Sequence, residues 1–390
     1  MKAIISGAGI AGLASGLALL RSGWDVLIIE RAPGVRAGGY MIDFFGPGYD
    51  AAERLGVLPA LQAVASDVAE VDFVDGDGRP SASINYELAA AGVGGKLMPL
   101  LRGNIERVLH EAERDRAVLR YSREIDAIDD SGDGVTVTLS DGTTETADLL
   151  IGADGIHSRT RKLLWGPEEG YLRFLGHHTA AYIFEDDAMR RRLGKTFKLL
   201  AVPGRQVGLY DVGDGRLAAF FVHRTEDGTL PADPAAQLRA VYGDLGWEIP
   251  QALAAMPERE DIYYDLVAQI LLTPWHKGRT VLVGDAAYAV SLLAGQGASL
   301  AIAGAETLAG ELAAGDGIAV ALARWEGRLK PLIAQKQEAG RRTANWFIPS
   351  TPLRLWVRNA ALNITNWPPL SGLLGSFVGV SSKGFAAKSG

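Results

Sequence analysis

Nothing constrains this chain more than its opening stretch. Gly7-Ala8-Gly9-Ile10-Ala11-Gly12 stands between an apolar run, Lys2–Ser6, and an alanine- and leucine-rich stretch, residues 13–21. A second apolar run, residues 26–29, ends on Glu30. Strand, glycine turn, helix, strand is the start of a parallel βαβ unit. There the first glycine makes the tight turn, the second lets backbone approach a pyrophosphate, and the third lets helix pack on strand. The helix start offers unpaired N–H groups and partial positive charge to an anion. A carboxylate closing the second strand can accept from ribose hydroxyls and disfavours a 2′-phosphate. The segment predicts a bound dinucleotide, NAD-like or FAD, with the choice between them open.

A length of 390 residues allows two or more domains, and 48% hydrophobic with 22% charged residues is the balance of a soluble globular chain. The absence of cysteine excludes disulfides, thiolate ligands and cysteine nucleophiles, and the six histidines show no metal-ligand spacing, so no metal is expected. A strand starting at Lys2 leaves no room for a signal peptide, and no apolar run is long enough to span a bilayer. These predict a cytoplasmic protein without stable membrane insertion. The net charge of −7 is uneven: residues 331–390 carry +6 and the rest −13. An acidic body argues against a nucleic-acid partner.

Further on, residues 40–45 read as a strand leading to a helix over 49–55. Residues 68–74 and 79–85 read as a hairpin around Asp75-Gly76-Asp77-Gly78, 89–95 as a loop, and 101–114 as a helix with Arg102 near its start. Strands are expected at 118–121, 125–129, 135–140 and 143–150. From 171 to 221 the pattern becomes strand-like and rich in aromatics, which predicts an inserted antiparallel sheet. Helices follow at 234–245, 250–256, 298–313 and on to about 347. A last amphipathic helix over 352–367 would align Leu353, Trp356, Ala360, Ile364 and Trp367.

Two later apolar runs, 149–151 and 281–283, enter glycine turns of their own: Gly152-Ala153-Asp154-Gly155, and Gly284-Asp285-Ala286-Ala287 followed by Gly295-Gln296-Gly297. If the three strands share one parallel sheet, their carboxyl ends meet at one crevice, where α/β ligands bind. Asp285 is then either an acceptor for a polyol hydroxyl or a helix N-cap, and both readings stand. The helix after Gly297 would aim its positive end at the same place, a useful electrostatic task toward a reduced flavin.

Taken in this order, these three motifs, with Glu30, Arg31, Ser158 and Arg161, resemble the class A flavin-dependent aromatic monooxygenases. These have the para-hydroxybenzoate hydroxylase fold, and the likeness is nearest the tetracycline-inactivating and antibiotic-tailoring branch, over residues 1–329. The resemblance implies an α/β architecture. A Rossmann-type FAD-binding domain would comprise residues 1–70, 96–168 and 271–330, an inserted antiparallel-sheet substrate domain residues 71–95 and 169–270, and a helical tail residues 331–390. Gly9, Ile10 and Ala11 would lie along the pyrophosphate, Glu30 would hold the adenosine ribose, and Arg31 would stand beside it. Arg36 and Asp43 match positions near the nicotinamide cofactor and FAD, Arg102 one that reaches FAD, and Asp154 one linked with FAD and NAD(P)H. Asp285 would bind the ribitol or pyrophosphate, and Gly295, Gly297, Ala298 and Ser299 would face the isoalloxazine. NAD(P)H would reduce FAD, and a flavin hydroperoxide would oxygenate a planar aromatic or polyketide-like small molecule. Tyr210 or His223 could serve as general base, although each also reads as an ordinary sheet residue.

Two departures accompany the likeness. Between Asp285 and Gly295 this chain has Ala289-Val290-Ser291-Leu292-Leu293 where the family usually has proline, which implies a looser loop or differently aimed carbonyls. Tyr288 stands where many members have histidine. Rival readings are a flavoprotein oxidase or Baeyer–Villiger enzyme of the same fold, a halogenase, and a non-catalytic binding protein. The halogenase reading is weakened by Leu245 standing where its first motif tryptophan belongs, and the non-catalytic one by the intact Glu30, Arg102 and Asp285. The chain is expected as a monomer or homodimer, its basic tail packing on its own acidic body or resting on an anionic surface.

Overall fold

The computed structural model describes residues 1–35, 39–91 and 93–365. Its organising layer is a six-stranded sheet in the order His276–Lys277, Thr280–Leu282, Leu149–Gly152, Lys2–Ser6, Asp25–Ile29, Val118–Arg120. All neighbours are parallel except the edge pair His276–Lys277 and Thr280–Leu282. A parallel sheet needs cover on both faces, which is why its strands are apolar without alternation. Ile5 and Ile28 pack into a core with the helices Ile10–Arg21, Arg102–Glu113 and Gly297–Ala313. Ile4, Leu27 and Leu150 point the other way, against a three-stranded sheet of Ile125–Asp129, Val135–Leu139 and Thr144–Ala147.

The second layer system is a seven-stranded sheet ordered Tyr263–Ile270, Leu172–Glu185, Arg216–Arg224, Arg205–Gly213, Thr196–Val202, Glu70–Val74, Pro80–Asn85. It is antiparallel except where Thr196–Val202 meets Glu70–Val74. Alternate side chains, among them Leu217, Ala219 and Phe221, bury against the helices Pro234–Tyr242 and Ile249–Ala254. The opposite face brings Phe220 and Tyr263 within 5.5 and 5.6 Å, ring to ring, of Tyr40. This mixed α/β architecture with an inserted sheet and C-terminal helices is the fold class expected from sequence.

Several expected elements differ. Residues 143–150 are two strands, not one: Asp148 pairs with both backbone groups of Lys2 and turns the chain from the small sheet into the parallel one. The expected loop at 89–95 is partly helix, Tyr86–Ala91, with Asn85 Oδ1 accepting from Leu88 N. Leu97–Leu101 is a strand paired with Met41–Phe45, hidden in sequence by Pro99 and by the helix that follows at once. Tyr263–Ile270 is an unanticipated edge strand, and a helix, Asp187–Leu193, interrupts the long aromatic sheet segment.

Ile318–Phe347 forms one helix of 30 residues despite Pro331. Pro352–Thr365 follows and packs beside Pro80–Asn85, with Leu362 buried against Phe73 and Ala82, the Arg358 guanidinium over the Phe73 ring, and Asn359 donating to Ser81 Oγ. The face expected to pack is the outward one: Leu353 is 71% and Trp356 68% exposed. Trp367 lies outside the described residues. No helix among the described residues is long and apolar enough to cross a membrane.

Candidate active site

The three glycine turns lie side by side. Ala153 N donates to Ser6 O and Val283 N to Gly152 O, so the chain leaves three neighbouring parallel strands at one edge. Gly7 takes φ +102°, and a Cβ there would sit 2.6 Å from Ala153 O. A Cβ on Gly12 would sit 1.8 Å from Gly7 O. The turn therefore exists only with glycine at both positions.

Above this edge opens a cleft with about 1010 Å³ of unfilled space, its mouth included. Gly9, Ile10 and Ala11 line one end, at a helix start that no side chain among the described residues caps, which leaves its N–H groups open to a ligand. Arg102, Asp285, Gly295, Gly297 and Ala298 continue the wall. Arg102 Nη2 pairs with Glu106 at 2.8 Å, which steers the guanidinium beside Gly9. Glu30 Oε2 accepts from Ala8 N and Oε1 from Ala32 N, both at 2.7 Å, locking the turn to the end of the second strand. A carboxylate has roughly four acceptor positions, so two remain for hydroxyls.

The electrostatics are those of a recessed site walled by protein. The side chain of Asp285 is open to the cleft yet ringed by protein; burial raises its pKa, Arg102 opposes the rise, and Asp265 adds to it. Burial likewise pushes the Tyr40 hydroxyl up to about 12, so it is a donor at neutral pH. Asp265, also in the wall, accepts from His157 Nε2 at 3.0 Å, and His157 Nδ1 meets Glu168 at 2.9 Å. The hydrogen bond to Asp265, joined by Glu168, lifts His157 to about 9 against its desolvation.

Other expected site residues stand apart from this wall. Both Asp154 oxygens serve its own loop, accepting from Ser158 Oγ, Thr160 N and Thr160 Oγ1. Ser299 is buried toward Phe45, whose N–H approaches its Oγ at 3.4 Å. Asp43 accepts from the Tyr86 hydroxyl, and burial raises its pKa. Arg31 is exposed next to Glu30, and Arg36 lies outside the described residues.

Neither suggested base lines the cleft. Tyr210 is buried, its oxygen accepts from Met41 N at 2.7 Å, and burial raises its pKa. His223 packs on Tyr242 of the helical layer at 3.2 Å, and burial, with His178, His177 and Arg205 adding, holds it down to about 4.

Sequence reasoning missed Tyr40, Tyr263, Asp265 and the wall segment Ala289-Val290-Ser291-Leu292. Only the missing proline hinted at the last.

The residues present fit an extended dinucleotide. The cleft is lined with glycine where backbone must approach, carries orphan helix-start donors and a guanidinium at one end, and has a carboxylate and a second helix start at the other.

Comparison with known proteins agrees. The profile of the FAD binding domain family matches residues 1–317. A flavin-dependent monooxygenase of an unknown prokaryotic organism is 31% identical over 357 residues, covering 90% of this chain and 91% of that protein. The structure of tetracycline destructase Tet(55) superposes with TM-score 0.83 at 29% identity, covering 97% of this chain and 96% of that one. Klebsiella pneumoniae HpxO, solved with FAD and uric acid, shares the fold at TM-score 0.79 and 23% identity, covering 98% and 97%.

Proposed function

Starting from a chain that belongs to the FAD binding domain family and is an FAD-dependent monooxygenase, we propose that it uses NAD(P)H to hydroxylate a planar aromatic or polyketide-like small molecule. One observation carries this reading: a single cleft is walled along its length by Gly9–Ala11, Arg102, Asp285, Gly295, Gly297 and Ala298, while aromatic rings of the seven-stranded sheet stand beside it. The likeness to a tetracycline destructase supports the substrate class. The nicotinamide donor rests on the motif resemblance.

Bound FAD would supply the electron transfer from a nicotinamide donor to dioxygen that monooxygenation needs. The protein's own tasks are binding, orientation and exclusion of water. The N–H groups of Ile10 and Ala11 and the Arg102 guanidinium would hold the pyrophosphate, and Glu30 the ribose through its two remaining acceptor positions. Asp285 would accept from polyol hydroxyls, a role compatible with its place at the cleft wall. The start of helix Gly297–Ala313 would stabilise negative charge at the ring end. Tyr40, protonated at neutral pH, would donate rather than abstract a proton. In this reading the six-stranded layer is the cofactor domain and the seven-stranded sheet the substrate wall.

The test is steady-state oxidation of NADH and NADPH by the FAD-loaded enzyme with tetracyclines and simple phenols, under isotopically labelled dioxygen. Label in a product that forms only with reductant supports the proposal. If no compound of either class speeds NAD(P)H oxidation or takes up label, the substrate assignment is wrong.

A further inference from the structure

Just past Asp285, the wall segment Ala289–Leu292 carries a strained residue: Ser291 has φ +96° with a side chain that disfavours it. Such a conformation costs of order 1–3 kcal/mol and persists only where the surroundings impose it.

The surroundings are specific. Gln269, fully buried in the edge strand Tyr263–Ile270, donates its amide to Val290 O at 3.0 Å and to Gln337 O at 2.8 Å, while Arg341 Nη1 donates to its Oε1 at 3.0 Å. Gln337, buried in the long helix Ile318–Phe347, donates to Ala289 O at 3.2 Å and to Ile270 O at 2.9 Å. Gly340, one turn on, makes room: a Cβ there would sit 2.8 Å from Val290 O. Burying two amides is costly unless every polar atom is matched, and apolar side chains would pack this junction without that demand. What the amides add is direction, because each aims a backbone carbonyl of the cleft wall.

We propose that Gln269, Gln337 and Gly340 form an amide clamp that positions the proline-free segment 289–292 against the ring end of FAD. The inference rests on the proposed placement of that ring beside Gly295–Ala298. In this arrangement hydrogen bonds from the edge strand and from the helix Ile318–Phe347 do the stiffening that a ring-locked φ does in a proline-bearing loop. The strain at Ser291 reports that the segment is held, not relaxed. These are positioning residues, since the clamp acts through the backbone it grips.

The experiment compares wild type with G340A, Q337M and S291G as FAD-loaded proteins, reading far-ultraviolet circular dichroism for fold, FAD affinity by fluorescence quenching, and visible circular dichroism of the bound flavin. G340A pushes on Val290 O while improving helix propensity. Q337M removes the amide at similar volume. S291G releases the strain and suits φ +96°.

All three are expected to keep FAD within about tenfold of wild-type affinity, the scale of one or two hydrogen bonds, because the pyrophosphate end is untouched. G340A and Q337M should change the visible dichroism and leave the flavin less quenched, whereas S291G, which suits the clamped φ, should keep the wild-type signature. A wild-type flavin signature in folded G340A and Q337M overturns the clamp. If either fails to fold, the other decides on the same readout. A wild-type protein that takes up no FAD would refute the cofactor reading instead.

Discussion

Glu113 offers a quantitative test of how the cofactor-binding layer is built. It ends the helix Arg102–Glu113, is fully buried, and neither carboxyl oxygen has a hydrogen-bond partner among the described residues. One oxygen lies 2.5 Å from where a Cβ on Gly16 would be, so it faces the helix whose start lines the cleft. Burial lifts its pKa from 4.5 to about 9. Between those values the native state keeps a proton that the unfolded state has released, so stability falls as pH rises, by about 1.4 kcal/mol per unit. Glu113→Gln abolishes this titration. The amide brings its own desolvation cost, about 1–3 kcal/mol, but that cost does not depend on pH. The stability gap between variant and wild type should therefore widen in the variant's favour by about 4 kcal/mol from pH 5.5 to pH 8.5. Urea unfolding of the FAD-loaded proteins across that range measures it. A gap constant to within about 1 kcal/mol would show that Glu113 is ionised or hydrogen-bonded in the native protein and would refute the argument.

The histidine group under the seven-stranded sheet has the opposite sign. His223 is held neutral down to about pH 4, so acidification below 6.5 charges it first in the unfolded chain; wild type should lose about 3 kcal/mol by pH 4 that His223→Asn retains, read from acid unfolding curves. In the tail, Leu362→Ala should destabilise by about 2–3 kcal/mol because it empties a buried site, whereas Trp356→Ser, on the exposed face, should stay within about 0.5 kcal/mol in urea unfolding of the FAD-loaded protein.

Much of the cofactor layer was legible in the chain because it rests on local necessity. A strand that must bury both faces is uniformly apolar, a turn that must clear Ala153 O needs glycine at 7, and a helix that must touch that turn needs glycine at 12. Such demands act within a few residues and leave a mark in order and spacing. The same logic made the strand ends at 152 and 284 readable.

What the chain did not disclose depends on partners distant in sequence. Asp154 and Ser299 carry motif positions, yet their side chains are taken by Thr160 and by Phe45, a choice made by packing. Trp356 and Leu353 lie on the more apolar side of their helix, but the body it meets offers Phe73 and Ser81, so Leu362, Arg358 and Asn359 face inward.

The sequence by itself thus determined the parallel sheet, its glycine turns and the dinucleotide-binding character that follows from them, since each is a short-range steric requirement. Only the tertiary structure decided which side chains wall the cleft, because Tyr40, Asp265 and Ser291 reach it from three separate segments. Their meeting is set by how sheets and helices stack, and no local pattern in the chain records it.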